Sequence, residues 1–431
     1  MHIFFSGIGG TAIGPLALIA KQAGYTVSGS DKQDSSYIRY LYDQGITDVH
    51  IGQSAESIAA VHAHQPIDWL VYSSAVAIEQ PDAPEFVFCR EQGVKMSKRD
   101  EFLSHFLDEK QLKLIAVAGT HGKTTTTAMM IWLMKQLDVP VSYSVGAKIP
   151  FGEMGHFELH SEYFIYEADE FDRNFLYFHP HLSIITGIDW DHPDIYPTRN
   201  EYNDAFRQFL SQSQHTIMWH ADATTLDLAV SDSQTILDEN DAAIEASLHL
   251  PGHVNRLNAW EVAQAGIRLF DKSPEELIGI LNAFPGVARR FEQIVPGLYT
   301  DYAHTPPKIR GALQLAHEVA GDNVVVVYEG LHNTRQHFIK DDLKTLFDSV
   351  KNLYIVPSYL AREDPTLALW TPADLRKLLS TETQTKTVAS QMDDTLRSAI
   401  GHHLDSGDLV LCLSAGGGGS LDEWLRREFK R

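Results

Sequence analysis

The stretch Gly119–Thr127 carries the strongest chemical signal in the chain. An all-apolar segment, Leu114–Ala118, runs into Gly119, Thr120, His121, Gly122, Lys123, Thr124 and Thr125, and a helical pattern, Ala128–Gln136, follows. Glycine lets the backbone approach a phosphate without interference from a Cβ, and amides at a helix start point at the anion with the helix dipole behind them. Lys123 has the reach to bridge β- and γ-phosphates, and the Thr124 hydroxyl suits Mg²⁺. The two glycines stand closer together than in the common phosphate loop, with only Thr120 and His121 between them. A threonine-rich helix cap is the plainer use of such residues. The strand before the glycines and the Lys-Thr pair after them favour phosphate binding.

Other groups of residues have chemical potential. Glu167–Asp172 closes the strand pattern Tyr163–Tyr166. Carboxylates at that end of a strand sit in the ligand crevice of an α/β sheet, where one of them could complete a metal shell; a solvated acidic loop is the alternative. Asp191–Tyr196 follows another strand pattern and contains His192, an imidazole able to bind a divalent cation or to serve as a cap. Near the start, Gly7, Gly9, Gly10 and Gly14 follow a strand and open a helix, and Asp31 ends the next strand. That pattern suits NAD, another nucleotide's diphosphate, or close helix–sheet packing. Arg289–Phe291 precedes Asp301–His304; paired arginines suit phosphate or carboxylate, and Asp301 suits a ribose. The glycine run Gly416–Gly419 reads equally as a tight turn or a flexible tip.

The elements that must position these groups alternate in a βαβ rhythm, which argues for parallel sheets. His2–Ser6, Tyr25–Gly29 and Trp69–Ser73 read as strands, with a helix over Thr11–Ala23, and a charged linker is expected at Asp108–Lys113. A second unit holds the strands Leu114–Ala118, Tyr163–Tyr166 and Leu182–Thr186. It also holds a polar stretch without strand alternation, Asp222–Ala246, and a helix over Ala259–Phe270. A third unit begins near Glu292 with strands at Leu298–Asp301, Asn323–Tyr328, Asn352–Pro357 and Asp408–Ser414. Three α/β domains in series are expected.

Composition narrows the function classes. The chain has 431 residues, 44% of them hydrophobic, which suits several globular domains. A formal charge of −22 disfavours nucleic acid as a partner, and two cysteines cannot build a disulfide framework. The apolar runs are too short to span a bilayer, and no leader pattern precedes the first strand, so a cytoplasmic enzyme or large binding protein is expected.

Taken together and in order, Gly7–Gly14, Ser28–Asp31, Ser73–Ala75, Gly119–Thr127, Glu167–Asp172, Asp191–Tyr196, Asn255–Asn258, Arg289–Phe291 and Asp301–His304 resemble the Mur ligases. The likeness is strongest to the branch acting on UDP-N-acetylmuramate, and it covers nearly the whole chain. It implies a UDP-sugar-binding Rossmann-like domain over residues 1–110 and a central ATP-binding P-loop domain over 111–291. A C-terminal Rossmann-like domain over 292–431 would bring the incoming amine. It also implies that ATP activates the muramoyl carboxylate as an acyl phosphate, which an amine then attacks. L-alanine is the expected acceptor and a cell-wall tripeptide the alternative. An NAD-dependent oxidoreductase is the competing reading of the N-terminal glycines.

By the same resemblance, Gly7, Gly9, Gly10, Gly14, Asp31, Ser73 and Ser74 would hold the UDP-sugar, and the loop Gly119–Thr125 would hold ATP. Thr124 and Glu167 would serve one Mg²⁺ and His192 a second. Asn255 and Asn258 would lie at the adenine, and Arg290 and Asp301 at the phosphate or ribose. Tyr302, His304 and Arg335 would lie near the acceptor and the muramoyl group. The implied catalytic set is Lys123, Glu167, His192, His304 and Arg335. The chain departs from the family pattern in the length of its central domain, which lacks about thirty residues between the metal motif and the asparagines, and at three places in the sequence. Leu331–His337 keeps only Thr334 and Arg335 of a basic stretch, Gly187 replaces an asparagine, and Val254 replaces a histidine.

Overall fold

The computed structural model describes residues 1–192, 195–229, 231–361 and 363–430. Among these residues the strands form three sheets, of five, seven and six strands. The first is wholly parallel, in the order Val49–Ile51, Thr26–Asp31, His2–Ser6, Trp69–Tyr72, Lys95–Lys98. His2–Ser6 is buried along its whole length, as a central strand covered on both faces must be. Parallel strands end on one side, so the turn at Gly7, Asp31 and Ser73 all leave the same edge.

The same logic governs the seven-stranded sheet. Its middle strand, Lys113–Ala118, lies between Leu182–Ile185 and Tyr163–Glu167, both parallel to it. The phosphate-type loop, the acidic run and the segment leading to His192 therefore emerge side by side, although they are far apart in the chain. The third sheet is parallel apart from its edge hairpin, Glu292–Val295 with Leu298–Asp301.

Three expectations need correction. The helix after the loop spans Lys123–Gln136, not only Ala128–Gln136; Gly122, at φ +81, is its cap, and Thr126 and Thr127 are buried within it despite the weak helix preference of β-branched residues. The charged linker at Asp108–Lys113 is mostly not a linker: the helix Arg99–Lys110 runs through its first residues, left-handed Gln111 ends that helix, and a strand starts at Lys113. The polar stretch Asp222–Ala246 contains an edge strand, Gln234–Leu237, paired on one side only, which relaxes the need for alternation. The run Gly416–Gly419 is a tight connection between the strand Leu409–Leu413 and the helix Leu421–Phe429. A Cβ at Gly416 would lie 2.5 Å from the Tyr359 ring.

The chain packs as two compact units, residues 1–248 with 257–284, and residues 249–256 with 285–431. Glu318, on the helix Pro306–Ala320, holds the segment 249–256 within the second unit. It accepts from Gly252 N at 2.8 Å and from the Arg256 guanidinium at 3.2 and 3.0 Å. The Arg256 hydrogen bonds, against the cost of burial, hold its carboxyl at about 2. A carboxyl lowered on folding contributes fully above its unfolded value, about 4.3, and that contribution is lost as pH falls through its folded value. Glu318→Gln is expected to cost about 1 kcal/mol at neutral pH and to flatten the acid limb of stability between these values. Urea denaturation at a series of pH values checks this; a variant with the wild-type acid slope would contradict it.

Candidate active site

The loop is shaped by the segment it leans on. Gly119 has φ +138, and a Cβ there would lie 2.6 Å from Thr186 Oγ1 and 2.9 Å from the Gly187 carbonyl. Thr120 N donates to Gly187 O at 2.8 Å, and Thr186 Oγ1 donates to the His121 carbonyl. Thr120 Oγ1 donates to Asp189 O at 2.6 Å and accepts from Asp189 N at 2.8 Å. His121 Nε2 meets Asp189 Oδ2 at 3.1 Å. The side chains of Thr120 and His121 thus clamp the loop to residues 186–189. Asn258 also borders the loop, its Oδ1 2.9 Å from where a Gly122 Cβ would stand.

The acidic run divides its charges one by one. Glu170 Oε2 accepts from Lys123 Nζ at 2.6 Å, Asp169 Oδ2 accepts from Arg99 at 3.2 Å, and Asp172 pairs with Lys98. Glu167 does something different: its Oε1 accepts from Thr124 Oγ1 at 2.8 Å and its Oε2 from Gly146 N at 3.0 Å. Burial works against the Lys123 ammonium, but Glu170 and Asp169 outweigh it and raise its pKa. Burial would likewise raise Asp169, but Arg99 and Lys123 overcome it and hold that carboxyl down.

A hydroxyl and a carboxylate converging at the head of the loop are hard oxygen donors of the kind Mg²⁺ takes. Among the described residues no group of three or more histidine, cysteine or acidic side chains is placed to hold a metal alone. His192 has φ +56, and its Nε2 lies 3.9 Å from both Glu170 Oε1 and Asp191 Oδ2. Pro193 and Asp194 of the same motif lie outside the described residues.

At the first sheet, Gly7 N and Ile8 N donate to Ser30 O at 2.8 and 2.9 Å, and Gly9 N donates to Asp31 Oδ2 at 2.8 Å. Ser73 Oγ caps the helix Ser74–Glu79 and lies 3.6 Å from where a Gly7 Cβ would be, so turn and cap adjoin. Gly10 N closes the turn onto Gly7 O at 3.0 Å, and Gly14 packs directly under the Tyr37 ring. Ser74 Oγ reaches Asn174 at 3.4 Å, just beyond the acidic run.

In the second unit, Asp301 accepts from Phe291 N at 2.8 Å and Ala303 N at 2.7 Å; burial, opposed by Arg290 and these amides, raises its pKa. The guanidinium groups of Arg289 and Arg290 lie 4.7 and 5.0 Å from the Tyr302 ring centre. His304 Nδ1 meets Tyr302 O at 2.8 Å. Arg289 also donates to Ser414 O and Gly416 O, both at 3.0 Å, fixing the glycine turn. Asn255, on the first turn of the helix His253–Leu269, donates to Pro251 O at 2.8 Å, and Arg335 is carried by the helix Asn333–Phe338.

Sequence reasoning missed Glu170, Asp189, Tyr202, Lys98 and Arg99. Glu170 stood inside a run of acids with nothing local to single it out. Tyr202, whose hydroxyl meets Thr120 Oγ1 at 2.7 Å, carries no motif at all.

Parallel-sheet domains with a glycine–lysine loop at the head of the middle sheet define a phosphate-loop α/β enzyme. The chain belongs to the Mur ligase family, whose members are ATP-dependent ligases. The matching family models are "Mur ligase family, catalytic domain" over residues 2–111, "Mur ligase middle domain" over 117–235 and "Mur ligase, glutamate ligase domain" over 289–416. A UDP-N-acetylmuramate–L-alanine ligase of Clostridium perfringens is 30% identical, with 84% of each chain covered. One from Renibacterium salmoninarum is 28% identical over 96% of this chain and 93% of its own. The crystal structure of a UDP-N-acetylmuramate–alanine ligase from Thermotoga maritima superposes with a TM-score of 0.73 at 24% identity, covering 100% of this chain and 99% of that one. These matches give the fold as three α/β domains, and they do not support the oxidoreductase reading of the N-terminal glycines. No helix among the described residues is long and apolar enough to cross a membrane.

Proposed function

We propose that the chain joins the carboxylate of UDP-N-acetylmuramate to the amine of L-alanine, with ATP as the activating nucleotide, in peptidoglycan biosynthesis in the cytoplasm. The observation that carries this reading is the division of charge at the loop. Lys123 is held protonated among Glu170 and Asp169, while Glu167 faces the Thr124 hydroxyl at 2.8 Å. The reactants, a carboxylate and a γ-phosphate, are both anions and must be brought together. Lys123 and the loop amides offset that repulsion and orient the phosphate for in-line attack. Thr124 and Glu167 would hold Mg²⁺, with His192 at a second ion; bound there, Mg²⁺ supplies neutralisation of phosphate charge. The first sheet's turn, Gly7–Gly14 with Asp31, Ser73 and Ser74, serves the UDP-sugar. Asn255, Asn258, Arg290 and Asp301 serve the nucleotide, and Tyr302, His304 and Arg335 the acceptor side. The working domain limits are residues 1–110, 111–291 and 292–431.

A tripeptide acceptor is the second reading. It is favoured by the segment Leu331–His337, which keeps only Thr334 and Arg335 of the basic stretch usual in the alanine-adding branch. A coupled assay of ADP release with UDP-N-acetylmuramate and a panel of L-alanine, glycine, L-serine and the tripeptide tests both. Turnover is expected to need the UDP-sugar and an amine together and to be fastest with L-alanine. Turnover that ignores the UDP-sugar would defeat the proposal, and a tripeptide preference would select the second reading.

A further inference from the structure

Glu170 joins two motifs to which the resemblance assigns separate roles. Its side chain is 1% exposed, and its Oε2 accepts from Lys123 Nζ at 2.6 Å. Its Oε1 faces Tyr202 Oη at 3.5 Å and His192 Nε2 at 3.9 Å, and its backbone carbonyl accepts from Tyr196 Oη at 2.6 Å. A carboxylate so enclosed is tolerated only with a cation against it.

His192, at the other end, sits in left-handed backbone that a non-glycine residue adopts at a cost, so its surroundings must fix it there. Those surroundings are the Phe171 ring, edge-on with centres 5.1 Å apart, and the carboxylates of Glu170 and Asp191 on its Nε2 side. A histidine that binds a metal through one ring nitrogen commonly offers the other to a carboxylate, which fixes the ring's orientation and its tautomer.

We infer that Glu170 is a positioning residue: Oε2 seats the Lys123 ammonium through a hydrogen bond, while Oε1, at ion-pair rather than hydrogen-bond distance, acts together with Asp191 to draw the Nε2 edge of the His192 ring, leaving Nδ1 as the nitrogen available to a divalent cation. Lys123 and His192 are then coupled through one carboxylate, with Asp191 sharing the imidazole side. The inference rests on the ligase reading for the identity of the nucleotide and for His192 as a metal ligand.

The test is Mn²⁺ binding with the non-hydrolysable analogue AMP-PNP, followed by electron spin resonance on the full-length chain. Wild-type protein is expected to show nitrogen modulation of the Mn²⁺ signal from His192. Glu170→Gln keeps the shape and removes the charge. It is expected to lose that modulation and to bind Mn²⁺ roughly 10–100-fold more weakly. A loss of packing alone would lower the melting temperature and leave the nitrogen signal in place, and that outcome overturns the inference. Should the glutamine variant fail to fold, Glu170→Asp keeps the charge with a shorter reach and is expected to lose Mn²⁺ affinity about tenfold; wild-type affinity and modulation there overturn it equally. The ligase reading fails separately, if wild-type protein binds Mn²⁺ and AMP-PNP but couples no amine.

Discussion

Lys123→Ala is expected to lower ADP formation about a thousandfold, since it removes the positive charge that the proposed function sets beside the transferring phosphoryl group. The same change should also weaken the fold, because Lys123 and Glu170 form a pair with side chains only 14% and 1% exposed. Deleting the ammonium strands a buried carboxylate, a defect that costs about 3–5 kcal/mol. The two effects separate in the double variant Lys123→Ala with Glu170→Gln. There the stranded charge is gone, so the melting temperature should recover in large part while turnover stays lost. UDP-sugar affinity should change little in either variant, because the glycine turn at Gly7, the proposed UDP-sugar site, belongs to a different sheet. ATP turnover near the wild-type rate in Lys123→Ala would remove the basis for placing the nucleotide at this loop. A double variant no more stable than the single one would show that the Lys123–Glu170 pair is not what the fold depends on.

What could be read from the sequence was what is local. Gly119, Gly122, Lys123 and Thr124 lie within one strand-to-helix connection, so their spacing marks the turn, although the helix begins at Lys123, earlier than the apolar pattern implies. The pairing of charges was not local. Glu170 lies 47 positions from Lys123, and Asp172 lies 74 from Lys98, which arrives from another sheet. The four acids of the run therefore looked alike, and only their partners tell them apart. Elements were missed for a related reason. Val49–Ile51 and Gln234–Leu237 are short edge strands with one neighbour each, and Lys95–Lys98 is an edge strand too polar to read as one. An edge strand can keep one side in water, so it need not advertise itself through apolar residues. Gly187 was visible as a departure from the family pattern, but its reason was not, because the group that fills the space beside it is a side chain of the loop.

That departure sets up the second large effect. Gly187 has φ +137, a conformation that side-chain-bearing residues avoid, and a Cβ there would overlap the His121 ring at Cε1 and lie 3.0 Å from its Nδ1. The Gly187 carbonyl meanwhile accepts from Thr120 N at 2.8 Å. In Gly187→Ala the ring must leave, and with it goes the His121–Asp189 contact of 3.1 Å that clamps the loop tip. The backbone must also absorb roughly 1–3 kcal/mol of strain or relax, and relaxing shifts the carbonyl that holds Thr120. A displacement of the phosphate-holding amides by about 1 Å is enough to cost roughly 100-fold in turnover. kcat/KM for ATP is therefore expected to fall about 100-fold, with UDP-sugar affinity unchanged. Gly187→Asn should behave alike, although asparagine is the usual family residue there, because this loop has already filled the space with His121. If the ring is the obstacle, removing it should help: Gly187→Ala with His121→Ala is expected to recover part of the loss despite forfeiting the clamp. A Gly187→Ala enzyme whose ATP kinetics stay within about twofold of wild type would mean that the loop tolerates the ring elsewhere. The clamp at Asp189 would then not be what holds the phosphate amides in place.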